Sequence, residues 1–227
     1  MRPLRGRKVT FPAYWGKIRG QVTLIDPEGE HGVTLSHRET VTDWAAVRGA
    51  DIRFASVTVS ENTNWRDVAA ERNLAGAQHA GIHTGARHYA RPGAVHDQAD
   101  HFVRTASALG AFAPGSLAPA LEVEAPSVDD RFIKAWIKHV RHAARIERVL
   151  VYAGLDCWTD RLHPDKWADS EVVLWLVRHN EIPGRPGWFH SRLGLHQHGF
   201  GTGLPGVDGP IAQDAVVYPF ALSDVLL

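Results

Sequence analysis

Leu117-Ala118-Pro119-Ala120-Leu121-Glu122-Val123-Glu124-Ala125-Pro126 leads from small and apolar residues into two carboxylates one residue apart, and ends on proline. Read as a strand, it puts Glu122 and Glu124 on one face and Leu121 and Val123 on the other. Two carboxylates at the end of an apolar strand are costly unless they are solvated, paired or used. Mutual repulsion is expected to raise one pKa and leave the partner ionised, which is the arrangement acid catalysis needs. Taken alone, the stretch also describes a surface strand end with two solvated glutamates, and structural ion pairs perturb carboxylates too. The flanking elements decide between the two.

Outward from that strand, the chain alternates. Val33–Ser36 reads as a short strand, and Asp43–Val47 as a helical turn capped by Thr42 or Asp43. Ile52–Val59 is apolar and β-branched, hence a buried strand. An Ala-rich helix is expected over 66–80, stopped by Gly81, with a strand over 82–89. Residues 94–109 form a helix stopped by Gly110. After the acidic strand, residues 128–146 carry Phe132, Ile133, Trp136, Ile137, Val140 and Ala144 at helical spacing. Val149–Ala153 and Val172–Val177 are buried strands, while residues 182–206 are Gly- and Pro-rich, with short extended pieces near Leu195 and Val207. Strand–helix alternation predicts a parallel α/β sheet, and continuously apolar strands predict that both faces are covered. A single modified TIM-like β/α barrel follows, its helices reduced in the C-terminal third, with catalytic groups at the strand C-termini. Glu122 and Glu124 fall there.

Composition narrows the partners. The chain has 227 residues, with 25 basic and 25 acidic side chains, so no global field favours nucleic acid or membrane. Cys157 is the single cysteine, so no internal disulfide is available, and packing must hold the fold. No apolar run approaches a membrane span, and no signal-peptide core follows the basic start. Synthesis in the cytosol is expected, so that work outside the cell would need export or release by something else. Residues 1–30 stand apart: Arg2, Arg5, Arg7, Lys8, Lys17 and Arg19 are interleaved with Phe11, Tyr14 and Trp15. They read as a basic N-terminal extension packed by its aromatics, with residues 31–227 forming the barrel.

The order of motifs resembles glycoside hydrolase family 25, the N-acetylmuramidase lysozymes of bacteria and phages. Gly32-Val33-Thr34-Leu35-Ser36 stands in place of the family's Gly-x-Asp-x-Ser, Asp43-Trp44 matches its Asp-Trp, and Phe54-Ala55 its Phe-Ala strand. Ala80-Gly81-Ile82 and Gly85-Ala86-Arg87-His88 match a helix end and a Gly-x-Tyr-His strand. Leu121-Glu122-Val123-Glu124 matches Leu-Asp-x-Glu; Tyr152-Ala153-Gly154, Leu174-Trp175, His196-Gln197-His198 and Gly206-Val207-Asp208 follow in order. The resemblance implies that Glu124 is the general acid. It places Glu122 where an aspartate assists the substrate's own N-acetyl group, and Asp208 as a further catalytic carboxylate at the rim. Thr34, His88, Tyr152, Trp175 and Gln197 would line the groove. The implied substrate is the glycan strand of peptidoglycan, with no cofactor or metal.

Four departures bear on activity. Thr34 replaces the family's first aspartate, Glu122 is one methylene longer than aspartate, Arg87 takes the tyrosine's place, and His196 and His198 replace two aromatics. Losing one positioned charge typically costs about a hundred- to a thousandfold in rate. A second reading is therefore a wall-binding or phage-particle subunit that keeps the fold without turnover, attached to its partners through the basic arm. A third is a metal hydrolase built on His196 and His198 with His83, His88 and Glu124, although no HExxH or Cys/His ligand spacing supports it.

Overall fold

The computed structural model describes residues 30–227; the basic extension lies outside them, apart from Glu30. The chain runs through β1 (His31–Leu35), β2 (Thr40–Val41), α1 (Trp44–Gly49), β3 (Ile52–Glu61), β4 (Trp65–Arg66), α2 (Ala70–His79) and β5 (His83–Tyr89). It continues through α3 (Val95–Ala108), β6 (Ala120–Glu122), α4 (Asp130–Ala144), β7 (Val149–Gly154), α5 (Leu155–Asp160) and β8 (Val172–Val177). The last elements are β9 (Leu193–Gly201), β10 (Val207–Asp208), β11 (Ile211–Val216) and a terminal 3-10 turn, Leu222–Val225.

Eight strands close on themselves in the order β1, β11, β9, β8, β7, β6, β5, β3, with β3 pairing back to β1. Seven are mutually parallel; β11 is antiparallel to both β9 and β1. The expected barrel is present, and it is closed by a strand of the opposite sense. The nine-residue β9 stands where only a short extended piece near Leu195 was expected, and β11 lies in a stretch for which no strand was expected. Their Gly-, His- and Gln-bearing sequences lack a long apolar run, and pairing with neighbours, not local pattern, makes them strands. The helix expected over 66–80 begins only at Ala70, because Trp65 and Arg66 pair back onto β3 and the Asp67 carboxylate accepts the Ala69 N–H at 2.8 Å.

Alternation along each strand gives two apolar regions. Outward-facing residues meet the helices. On α4, capped by Asp129, Phe132, Ile133, Trp136, Ile137 and Val140 are buried against the barrel. Trp136 is fully buried, and such a side chain contributes up to about 3 kcal/mol. Inward-facing Phe54, Leu150, Val173, Trp175 and Leu195 fill the barrel, with Leu222 and Val225 packed against them. The Phe54 ring occupies the space above Gly32 so closely that a Cβ there would lie 2.2 Å from it. The C-terminal segment stops the N-terminal end of the barrel: Leu117 bridges to Leu226, and Ala118 N–H donates to the Val225 carbonyl at 2.9 Å. Apolar packing at one end leaves the opposite end to polar side chains.

Candidate active site

β6 ends at Glu122, and Glu124 follows on the short segment leaving it. Neither is sealed in or turned to the outer wall. The Glu122 side chain is 13% exposed and lines a groove of about 420 Å³ at the C-terminal mouth of the barrel. Glu124 is open to solvent, its carboxylate facing Gly154 at the end of β7.

Arg87 dominates the ground beneath. Its side chain is 7% exposed, and its Nε lies 3.2 Å from Glu122 Oε2. Nε and Nη2 both donate to Thr58 Oγ1, at 3.2 and 2.7 Å, and the guanidinium sits 5.1 Å from the centre of the Tyr152 ring. Burial pushes the Glu122 carboxyl up; Arg87 pulls it back, and Glu124 adds repulsion. Burial also raises Glu124, opposed by the Gly154 N–H and by Arg161 and Arg87. Both carboxyls therefore rise. Desolvation, not mutual repulsion, is the larger cause, contrary to the expectation that repulsion would separate the pair.

Below Arg87 lies a buried polar layer that the sequence reading missed. Asp214 on β11 has no exposed surface. Its Oδ1 accepts from Trp175 Nε1 at 3.0 Å and from Gln197 Nε2 at 3.4 Å. Gln197 Oε1 in turn accepts the Tyr152 hydroxyl at 3.0 Å. Burial lifts Asp214 to about 7 against the pull of Thr34, Trp175, Arg87 and Gln197. Thr34 Oγ1 and Asp214 Oδ2 are both buried without a partner in hydrogen-bond geometry. An aspartate among apolar neighbours in Ile211–Val216 was the available signal.

Several expected residues fall elsewhere. Thr34, Tyr152, Trp175 and Gln197 do face the barrel interior, but all four are buried. Trp175 has no exposed surface, so its expected contact with substrate is corrected to a place beneath the mouth, where its indole N–H holds Asp214. His88 is corrected more sharply. It follows inward-facing Arg87, so strand alternation turns it to the helix layer. There its Nδ1 meets Ser60 Oγ at 2.8 Å, its Nε2 meets Gln98 Oε1 at 3.3 Å, and its ring stacks on Trp136. Burial lowers its pKa to about 4, so it is a neutral core histidine. Asp208 lies on β10, exposed and paired with Thr40 of β2, outside the barrel strands. His196 and His198 face outward together, whereas His83 is tied to the Gly115 carbonyl at the N-terminal end of β5. The fold thus does not gather these histidines around Glu124.

The exposed groove wall consists of other residues: Ser36, His37, Arg38, Glu61, Trp65, Tyr89 and Arg91. The buried Asp67 carboxylate accepts the His37 backbone N–H at 2.8 Å and approaches its Nδ1 at 3.1 Å. Trp65 is 36% exposed and packs against the His37 ring. Trp65 and Tyr89 are the aromatic rings lining the groove, where Trp175 was expected.

The comparisons with known proteins agree with this architecture. The model for glycosyl hydrolases family 25 matches residues 33–207. Lysozyme M1 of Streptomyces globisporus is 33% identical over 147 residues, 59% of this chain and 49% of that protein. The match thus spans about half the length of that relative. Among solved structures, the bacterial lysozyme of Streptomyces coelicolor superposes with a TM-score of 0.65 at 22% identity, covering 88% of this chain and 98% of its own. The catalytic domain of endolysin ply40, from bacteriophage P40 of Listeria monocytogenes, gives 0.72 at 18% identity, with the same two coverages of 88% and 98%. No described helix is long and apolar enough to cross a membrane.

Proposed function

The chain belongs to glycosyl hydrolase family 25, and from that premise we propose that it hydrolyses β-1,4 links in peptidoglycan, with Glu124 as general acid. The observation that carries this reading is the placement of Glu124, open to solvent beside the groove-lining Glu122 at the barrel mouth. Two carboxylates from one strand, not from facing walls, suit cleavage assisted by the substrate's own acetamido group. In that reaction Glu124 gives its proton to the glycosidic oxygen as the bond to the anomeric carbon breaks. The acetamido carbonyl oxygen closes on that carbon, and Glu122 stabilises the positive charge that develops. Water then adds at the anomeric carbon, returning a proton to Glu124 and reopening the acetamido group. The upward shift of Glu124 helps keep its proton available. Arg87 keeps the charged form of Glu122 accessible despite burial. Asp208, on the outer rim sheet, takes no chemical step. The site of action would be the cell wall.

A zymogram on purified walls, run with wild type and Glu124→Gln in parallel, tests the assignment. Clearing by wild type and its loss in the variant are expected; unchanged turnover in Glu124→Gln overturns it. Thr34 in the aspartate position and Arg87 against Glu122 favour one second reading: a wall-binding or phage-particle subunit without turnover. Steady release of muropeptides by the purified protein excludes that reading.

A further inference from the structure

We infer that the groove beside Glu122 selects a sugar carrying a free carboxylate, such as muramic acid whose lactyl group has lost its stem peptide. The inference rests on the glycan-hydrolase reading above and adds a specificity to it. Three arginines, Arg38, Arg87 and Arg91, line the groove against two acids, Glu61 and Glu122. Both acids are already engaged: Glu61 Oε1 with Arg91 Nε at 2.6 Å, and Glu122 with Arg87 at 3.2 Å. Arg38 forms no ion pair with any described residue, yet its field reaches Glu122. Glu39, the other acid nearby, accepts the Ser36 N–H at 2.7 Å and the Ser36 hydroxyl at 3.0 Å, and its charge reaches Arg87 without forming an ion pair. Arg38 is thus the groove arginine without an ion-pair partner among the described residues.

Arg87 makes that charge specific. Its Nε and Nη2 are spent on Thr58 and Glu122, and its Nη1 makes no hydrogen bond with a described residue. A buried guanidinium with a donor left over, at the wall of an open groove, suits a carboxylate oxygen better than a neutral hydroxyl. Trp65 and Tyr89 supply aromatic surface for the ring that bears the group, and Arg91 is already fixed over the Tyr89 ring at 4.5 Å. A neutral glycan would leave Arg38 and the spare Arg87 donor unmatched.

Binding to the Glu124→Gln protein, measured by titration calorimetry, tests this without turnover. The probes are peptide-free wall oligosaccharides with free lactyl carboxylates, the same oligosaccharides with those carboxylates converted to methylamides, and an oligosaccharide alternating a uronic acid with N-acetylglucosamine. The free lactyl form is expected to bind roughly tenfold tighter than the methylamide. Arg38→Gln in the same background should shrink that ratio, and raised salt should do likewise. Preferential binding of the uronic acid polymer would support the carboxylate and identify its source as the ring itself. Equal or tighter binding of the methylamide overturns the inference. Failure of wild type to cleave any of the three overturns the hydrolase reading, and leaves the binding preference to be judged from its own measurement.

Discussion

Arg87 Nε and Glu122 Oε2 stand 3.2 Å apart at the barrel mouth, each side chain nearly withdrawn from water. The longer glutamate and the arginine fit each other: the extra methylene carries the carboxylate to a guanidinium anchored on Thr58. Removing one partner of such a pair leaves the other buried and uncompensated. Arg87→Met should lower the unfolding free energy by about 3 kcal/mol, read from urea denaturation. It should also move the acid limb of kcat/KM to higher pH, because Arg87 now holds the Glu122 pKa down. A limb that stays in place would show that Glu122 does not need its charge.

Asp214 makes stability depend on pH. Its folded pKa, about 7, lies above its ordinary 3.8, so between those values the folded state binds more protons than the unfolded one. Stability from this group is therefore full below about 3.8 and is lost as pH rises through 7. The slope is at most about 1.4 kcal/mol per pH unit. Asp214→Asn keeps an oxygen for the Trp175 indole and removes the titration. Its Tm should change less than that of wild type between those two pH values, and should exceed it above pH 7. Parallel melting curves against pH would count against the assignment.

His88 provides a control for groove and core. It is fully buried between Ser60, Gln98 and Trp136. His88→Ala should cost about 2–4 kcal/mol through the cavity and the orphaned partners. The folded fraction should keep the wild-type KM for wall substrate. A raised KM at unchanged stability would return His88 to the groove.

Gly32→Ala should destabilise the barrel without touching the mouth. The new Cβ would fall 2.2 Å from the Phe54 ring, which is enclosed by Trp175 and its neighbours and cannot easily withdraw. Overpacking of this kind costs about 1–3 kcal/mol. Gly32→Ala combined with Phe54→Leu should recover part of the loss, measured by the same denaturation.

Local chemistry settled much of this protein. Glycine stops at Gly81 and Gly110, the apolar stripe on α4 and the continuous runs of β3, β7 and β8 are short-range signals, and they led to the barrel and to Glu122 and Glu124 at a strand end. Side-chain direction was not legible in the same way. Whether Arg87 or His88 faces the lumen depends on which strands pair with β5 and in what register, and those partners lie far away in the chain. Closure by antiparallel β11, and with it the burial of Asp214 under the site, likewise depends on pairing with β9 and β1. A sequence states which residues alternate; only the assembled sheet decides which half of the alternation points inward, because that choice is made by contacts between segments and not within them.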